Sequence, residues 1–172
     1  MITSNWLPNA VKYTMIALIA AVPFQVPAGT PITSQTTQSA PVGKSHAHHA
    51  PHKGTLVELG EEFAHLELVL DRDTGKLTAY ALDGEAENSV RLNQPSVDIE
   101  VGPNTNHTTT DTLSLEPVAN PLTGETSNDT SEYCLESVDL KGATKFPGLI
   151  VRVVIKGAEF KNVAFRFPEG NE

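Results

Sequence analysis

From Gly54 onward the sequence runs in short alternations of apolar and polar residues, each broken within a few positions by Gly, Pro, Asn or Asp. A period of two sends successive side chains to opposite faces of an extended chain. No run keeps the 3.6-residue period of an amphipathic helix for long, so strands joined by turns are the architecture open to this chain.

The candidate strands are "TLVEL", "FAHLELVL", "KLTAYAL", "SVRLN", "VDIEV", "TLSLEP", "EYCLES", "GLIVRVVIK" and "EFKNVAFRF". In the second, Ala64, Leu66, Leu68 and Leu70 share one face, while Phe63, His65, Glu67 and Val69 share the other. "DRDTGK" supplies Asp and Gly for a hairpin turn into the third. In the last hairpin, Leu149, Val151, Val153 and Ile155 fall on one face, and Gly157-Ala158 is the expected two-residue turn, with Gly157 offering the positive φ it needs. Phe160 is out of step with Val163, Phe165 and Phe167, and a bulge near Lys161-Asn162 would bring all four to the core. One helical turn fits between Asp139 and Thr144. The expected fold class is all-β, two antiparallel sheets stacked as a sandwich, with a flattened barrel as the alternative.

The N-terminal segment reads differently. Lys12 precedes an apolar run from about Tyr13 to Phe24, followed by Val26-Pro27-Ala28 before Gly29. This order of charge, apolar core and small residues is that of a secretory signal peptide cleaved after Ala28. The competing reading is an uncleaved anchor over residues 13–28, but a spanning helix needs ~20 apolar residues and Pro23 and Pro27 interrupt the run. Residues 29–53 are rich in Ser, Thr, Gln and Pro and form the expected flexible linker. The expected domain covers residues 54–168, with residues 169–172 as a tail. Periplasmic or secreted placement follows from the signal peptide.

The formal net charge is −9, and loss of residues 1–28, whose one charge is Lys12, leaves −10. Such a surface repels nucleic-acid phosphate and anionic lipid, so no nucleic-acid partner is expected, and membrane contact only through an uncleaved N-terminus. Cys134 is the single cysteine. An internal disulfide is therefore excluded despite export, and Cys134 is expected as a small buried apolar residue.

Four imidazoles crowd the end of the linker in "HAHHAPH": His46, His48, His49 and His52. Neutral imidazole ligates Cu, Zn or Ni ions, and closely spaced rings on a flexible chain can converge on one ion, at a cost in chain ordering. The alternative is a solvated tract with no metal role. Imidazole loses its lone pair to a proton as pH falls, so acid should release the ion. His65, with Glu67 on its face, is a second-tier ligand or an ordinary sheet-surface histidine. If the first two strands pair through Gly60-Glu61, His52 falls near Leu70, away from His65.

"DRDTG" lacks the sixth-place Gly and twelfth-place Glu of a calcium loop, so it reads as a turn. The sequons Asn106-His107-Thr108 and Asn128-Asp129-Thr130 lie in predicted loops and matter only where the host glycosylates exported proteins. G-x-S-x-G, H-E-x-x-H and phosphate-binding glycine loops are absent from the sequence. The expected function is a non-catalytic, exported metal-binding protein of the bacterial envelope. The alternative is an envelope protein-protein interaction or structural module.

"APHKGTLVELGEEFAHLELVLDRDTGKLTAYALDG" resembles a segment of small exported bacterial proteins of unassigned function, and is similar to periplasmic regions associated with heavy-metal efflux adaptors. The matching residues are Pro51, His52, Gly54, Glu58, Leu59, Gly60, His65, Glu67, Leu68, Asp71, Gly75, Tyr80, Leu82 and Asp83. Lys53 stands where that pattern has a Gly. The resemblance implies an exported β domain and touches two histidines, His52 and His65.

Overall fold

A computed structural model describes residues 48–104 and 106–171. The signal-peptide reading, most of the linker and His46 lie outside the described residues. Eight strands follow in order: β1 (Thr55–Leu59), β2 (Ala64–Asp71), β3 (Lys76–Asp83), β4 (Val97–Val101), β5 (Asp111–Pro117), β6 (Glu132–Glu136), β7 (Phe146–Ile155) and β8 (Ala158–Phe167). One 3₁₀ turn, Val138–Leu140, is capped by the Ser137 side chain. The ninth candidate strand, "SVRLN", makes only isolated bridges, from Ser89 to Leu82 and from Leu92 to Thr130.

All pairings are antiparallel, in one sheet ordered β1-β2-β3-β6-β5-β4-β7-β8. Two four-stranded halves share one core and are joined through the pairs Glu116–Cys134 and Pro117–Tyr133 of β5 and β6. At the opposite side the chain after β8 closes on β1. The Asn171 amide accepts from the Glu58 N–H (2.7 Å) and donates to the Glu58 carbonyl (3.1 Å), and Thr55 Oγ1 donates to the Pro168 carbonyl (3.1 Å). The flattened barrel is therefore the form taken. The segment expected as a tail supplies part of its seam, pairing an edge that would otherwise be open.

Periodicity placed the first half of β7 wrongly by face, while Val153 and Ile155 are buried as expected. Asp98 of β4 pairs with Arg152 but its neighbour Ile99 pairs with Ile150, so Val151 is an extra residue. This bulge inverts the alternation: Ile150, Val153 and Ile155 are fully buried, whereas Leu149 and Val151 are only half-buried. On β8 the matching irregularity is Asn162, at φ 53°, and it lets Phe160 and the Val163, Phe165, Phe167 series both reach the core, as expected. The register between β7 and β8 is the same on both sides of it. The turn is Lys156-Gly157, both at positive φ (50° and 80°), between paired Ile155 and Ala158. Ile150→Ala should cost about 3 kcal/mol in urea unfolding through lost burial and a cavity. Val151→Ala should cost less than about 1 kcal/mol; the reverse order would contradict the bulge.

Candidate metal centre

The histidine-bearing segment is folded onto β2. Lys53, at φ 60°, donates its N–H to the Ala50 carbonyl (3.1 Å), a turn that breaks the extended chain before β1. His52 therefore folds back to Glu67 instead of running on to Leu70. Glu67 is fully buried. Its Oε1 accepts the N–H groups of His52 and Gly54, both at 2.8 Å, and its Oε2 accepts from His52 Nδ1 at 2.7 Å. The His52 ring stacks on Tyr80, which faces Glu67 across β2 and β3 (centroids 3.8 Å apart, planes 12°). Burial, then the charges of Glu132 and Glu67, push the Tyr80 hydroxyl pKa up. Gly54 permits this approach, since a β-carbon there would lie 2.6 Å from the Leu68 carbonyl oxygen and 2.8 Å from Glu67 Cγ.

His65 is fully buried rather than exposed on the sheet. Its Nδ1 donates to the Asp83 carbonyl (3.2 Å). The His48 ring lies against it, with centroids 4.8 Å apart and planes tilted by 54°. His48 Nδ1 donates to the Glu85 carbonyl (3.3 Å), and its Nε2 is 3.7 Å from Glu62 Oε1. The Asp83 carboxylate accepts from the Asn88 side chain (2.7 Å) and from the N–H groups of Glu87 and Asn88, which holds the loop carrying Glu85; the Asn88 amide draws its pKa below the usual carboxylate value. Of the four tract histidines, His48 and His52 are placed on the sheet, His49 is exposed, and His46 is outside the described residues. The body therefore begins before Gly54, and residues 48–53 belong to it rather than to a linker.

A second group was not legible in the sequence. Asn104 Oδ1 accepts from the N–H groups of Asn106 (2.8 Å) and His107 (3.0 Å), while its Nδ2 donates to the Asp139 carbonyl (3.1 Å); Asn106 Nδ2 donates to the Lys141 carbonyl. These amides pin the loop to the 3₁₀ turn. His107 Nε2 then contacts Asp111 Oδ2, and its Nδ1 is 3.5 Å from Asp139 Oδ1. One donor atom from each of His107, Asp111 and Asp139 lies within 4.8 Å of the others, a set that can hold a metal ion. The sequence marked His107 only as part of a sequon, and nothing local linked it to Asp139.

The other candidates are placed as follows. Asp71 Oδ1 accepts from Asp73 N–H (2.9 Å) and Thr74 N–H (3.4 Å), so its carboxylate serves the turn. Cys134 is half-buried, not fully buried. Among the described residues no helix is long and apolar enough to cross a membrane. No protein-family model matches the chain, and comparison with curated proteins and with solved structures gives no match. The side chains themselves are thus the ground for assigning a function.

Proposed function

We propose that this chain is an exported, non-catalytic transition-metal-binding protein of the bacterial envelope that scavenges or delivers copper, zinc or nickel. The observation that carries the reading is the His107, Asp111 and Asp139 group, with its donor atoms within 4.8 Å. One imidazole and two carboxylates suit a borderline divalent ion such as Zn²⁺. The histidine tract supports the same reading, as does the likeness of residues 51–83 to periplasmic regions associated with heavy-metal efflux adaptors. Export rests on the signal-peptide pattern of residues 1–28, and delivery would need an envelope protein as acceptor.

Calorimetry at neutral pH with Zn²⁺, Cu²⁺ and Ni²⁺ tests this on the protein recovered from the cell envelope. Saturable binding is expected in the parent. A variant carrying Asp111→Asn and Asp139→Asn, and another with His46, His48, His49 and His52 all changed to Asn, should each lose part of it. A parent that binds none of the three ions would overturn the reading and leave an interaction or structural module.

A further inference from the structure

We propose that the cleft between Pro103-Asn104 and the paired ends of β7 and β8 is a binding site for a small organic anion, a monocarboxylate carried on a flat apolar body. Its occupancy needs no metal ion and is independent of the metal reading.

The cavity measures about 680 Å³, a size that suits a small molecule. Two buried aromatic rings line it. Phe146 and Phe167, paired across β7 and β8, lie with ring centroids 4.9 Å apart and planes at 2°, and Pro103 and Pro147 extend the apolar lining. Backbone bonds fix these parts in place. The Gly102 N–H donates to the Pro147 carbonyl (2.8 Å), the Asn104 side chain donates to the Asp139 carbonyl (3.1 Å), and Arg166 and Gly170 each donate an N–H to the other's carbonyl (2.8 and 2.6 Å). A cavity held in this way loses little backbone freedom when a ligand enters.

Charge decides the ligand. Lys145 and Arg166 line the same cavity against a single carboxylate, Glu169, in a chain whose net charge is −9. Among the described residues the lysines and arginines in ion pairs are Arg91, Arg152 and Lys161; Lys145 and Arg166 are in none, and both are exposed. Two cations without carboxylate partners, beside an apolar lining, match a ligand with an anionic end and an apolar body. A guanidinium takes a carboxylate through two parallel N–H bonds, which favours that anion. Glu169 limits the charge: a singly charged ligand balances the three side chains, whereas a dianion leaves an excess of negative charge beside it.

The test is a nuclear magnetic resonance titration of the full chain at neutral pH, freed of metal with a chelator, using 2-naphthylacetate, its neutral analogue 2-naphthylethanol, and inorganic phosphate. Naphthylacetate should bind with a dissociation constant at or below about 1 mM, the affinity expected of about fourteen non-hydrogen atoms, and should shift the amides of Phe146, Arg166 and Phe167. Naphthylethanol lacks the charge and phosphate lacks the apolar body, so each should bind at least about 10-fold more weakly. Lys145→Gln and Arg166→Gln, both at exposed positions, should each weaken naphthylacetate about 5-fold, and Glu169→Gln should tighten it. The variant carrying Asp111→Asn and Asp139→Asn should bind it as the parent does. Equal affinity for the acid and the alcohol, or parent-like binding in both the Lys145 and the Arg166 variants, would overturn the site. Binding that appears only when Zn²⁺ is restored would overturn it too, because the carboxylate would then be held by an ion at the His107 group. A parent that binds Zn²⁺ but not naphthylacetate overturns this site and leaves the metal reading standing.

Discussion

Replacing Glu67 with Ala should lower stability by about 3 kcal/mol and detach the histidine-bearing segment. The buried carboxylate accepts from two backbone N–H groups and one imidazole. Each donor left unsatisfied costs about 1–3 kcal/mol, and removal of one member of a buried charge-assisted pair costs about 3–5 kcal/mol. Release of the segment into water limits the total, because freed donors are then solvated. Glu67→Gln keeps a carbonyl for the two amides and should cost only about 1 kcal/mol. Urea unfolding compares the two, and hydrogen exchange at His52 and Gly54 reports release directly. Equal, small losses in both variants would mean that Glu67 does not hold the segment.

Gly75→Ala should cost about 3 kcal/mol, read by thermal or urea unfolding. Gly75 has φ 77°, a left-handed conformation that costs a residue with a β-carbon about 1–2 kcal/mol. That β-carbon would also lie 2.1 Å from the Ser137 carbonyl oxygen, so backbone must move. Ser137 caps the 3₁₀ turn that carries Asp139, and the displacement should therefore weaken ion binding at His107 as well. Gly157→Ala is the control. It has a similar φ of 80° but nothing within 4 Å of the added carbon, so only the conformational cost of about 1 kcal/mol is expected. Calcium should leave the melting of the parent unchanged, since the Asp71 carboxylate is occupied by turn amides.

Local alternation and turn chemistry carried the β2–β3 hairpin in full, and the strand pairing of the first and last hairpins, whose turns fall over residues 60–63 rather than at Gly60-Glu61 and at Lys156-Gly157 rather than Gly157-Ala158. Asp71 and Gly75 close β2 onto β3, and Gly157 closes β7 onto β8, because each depends on residues only a few positions apart. The bulge at Val151 was hidden for the opposite reason. Its signature is a pairing shift against β4, which is remote in sequence, and the run "GLIVRVVIK" is apolar enough to read equally well with either face inward. "SVRLN" looked like a strand by composition, yet it found only single bridging partners.

The histidines divide along the same line. Sequence by itself determined that imidazoles cluster ahead of an all-β body and that His65 and Glu67 share one face of a strand. Only the tertiary structure decided what they do there. A left-handed turn at Lys53 reverses the chain, so Glu67 and Tyr80 take His52 while His48 comes to rest on His65. Likewise, two asparagine amides carry His107 to Asp139. Alternation within a strand is a property of neighbouring residues and is written in their order. The meeting of side chains from distant segments depends on where turns and bulges redirect the backbone, and that is set by close packing of the whole body.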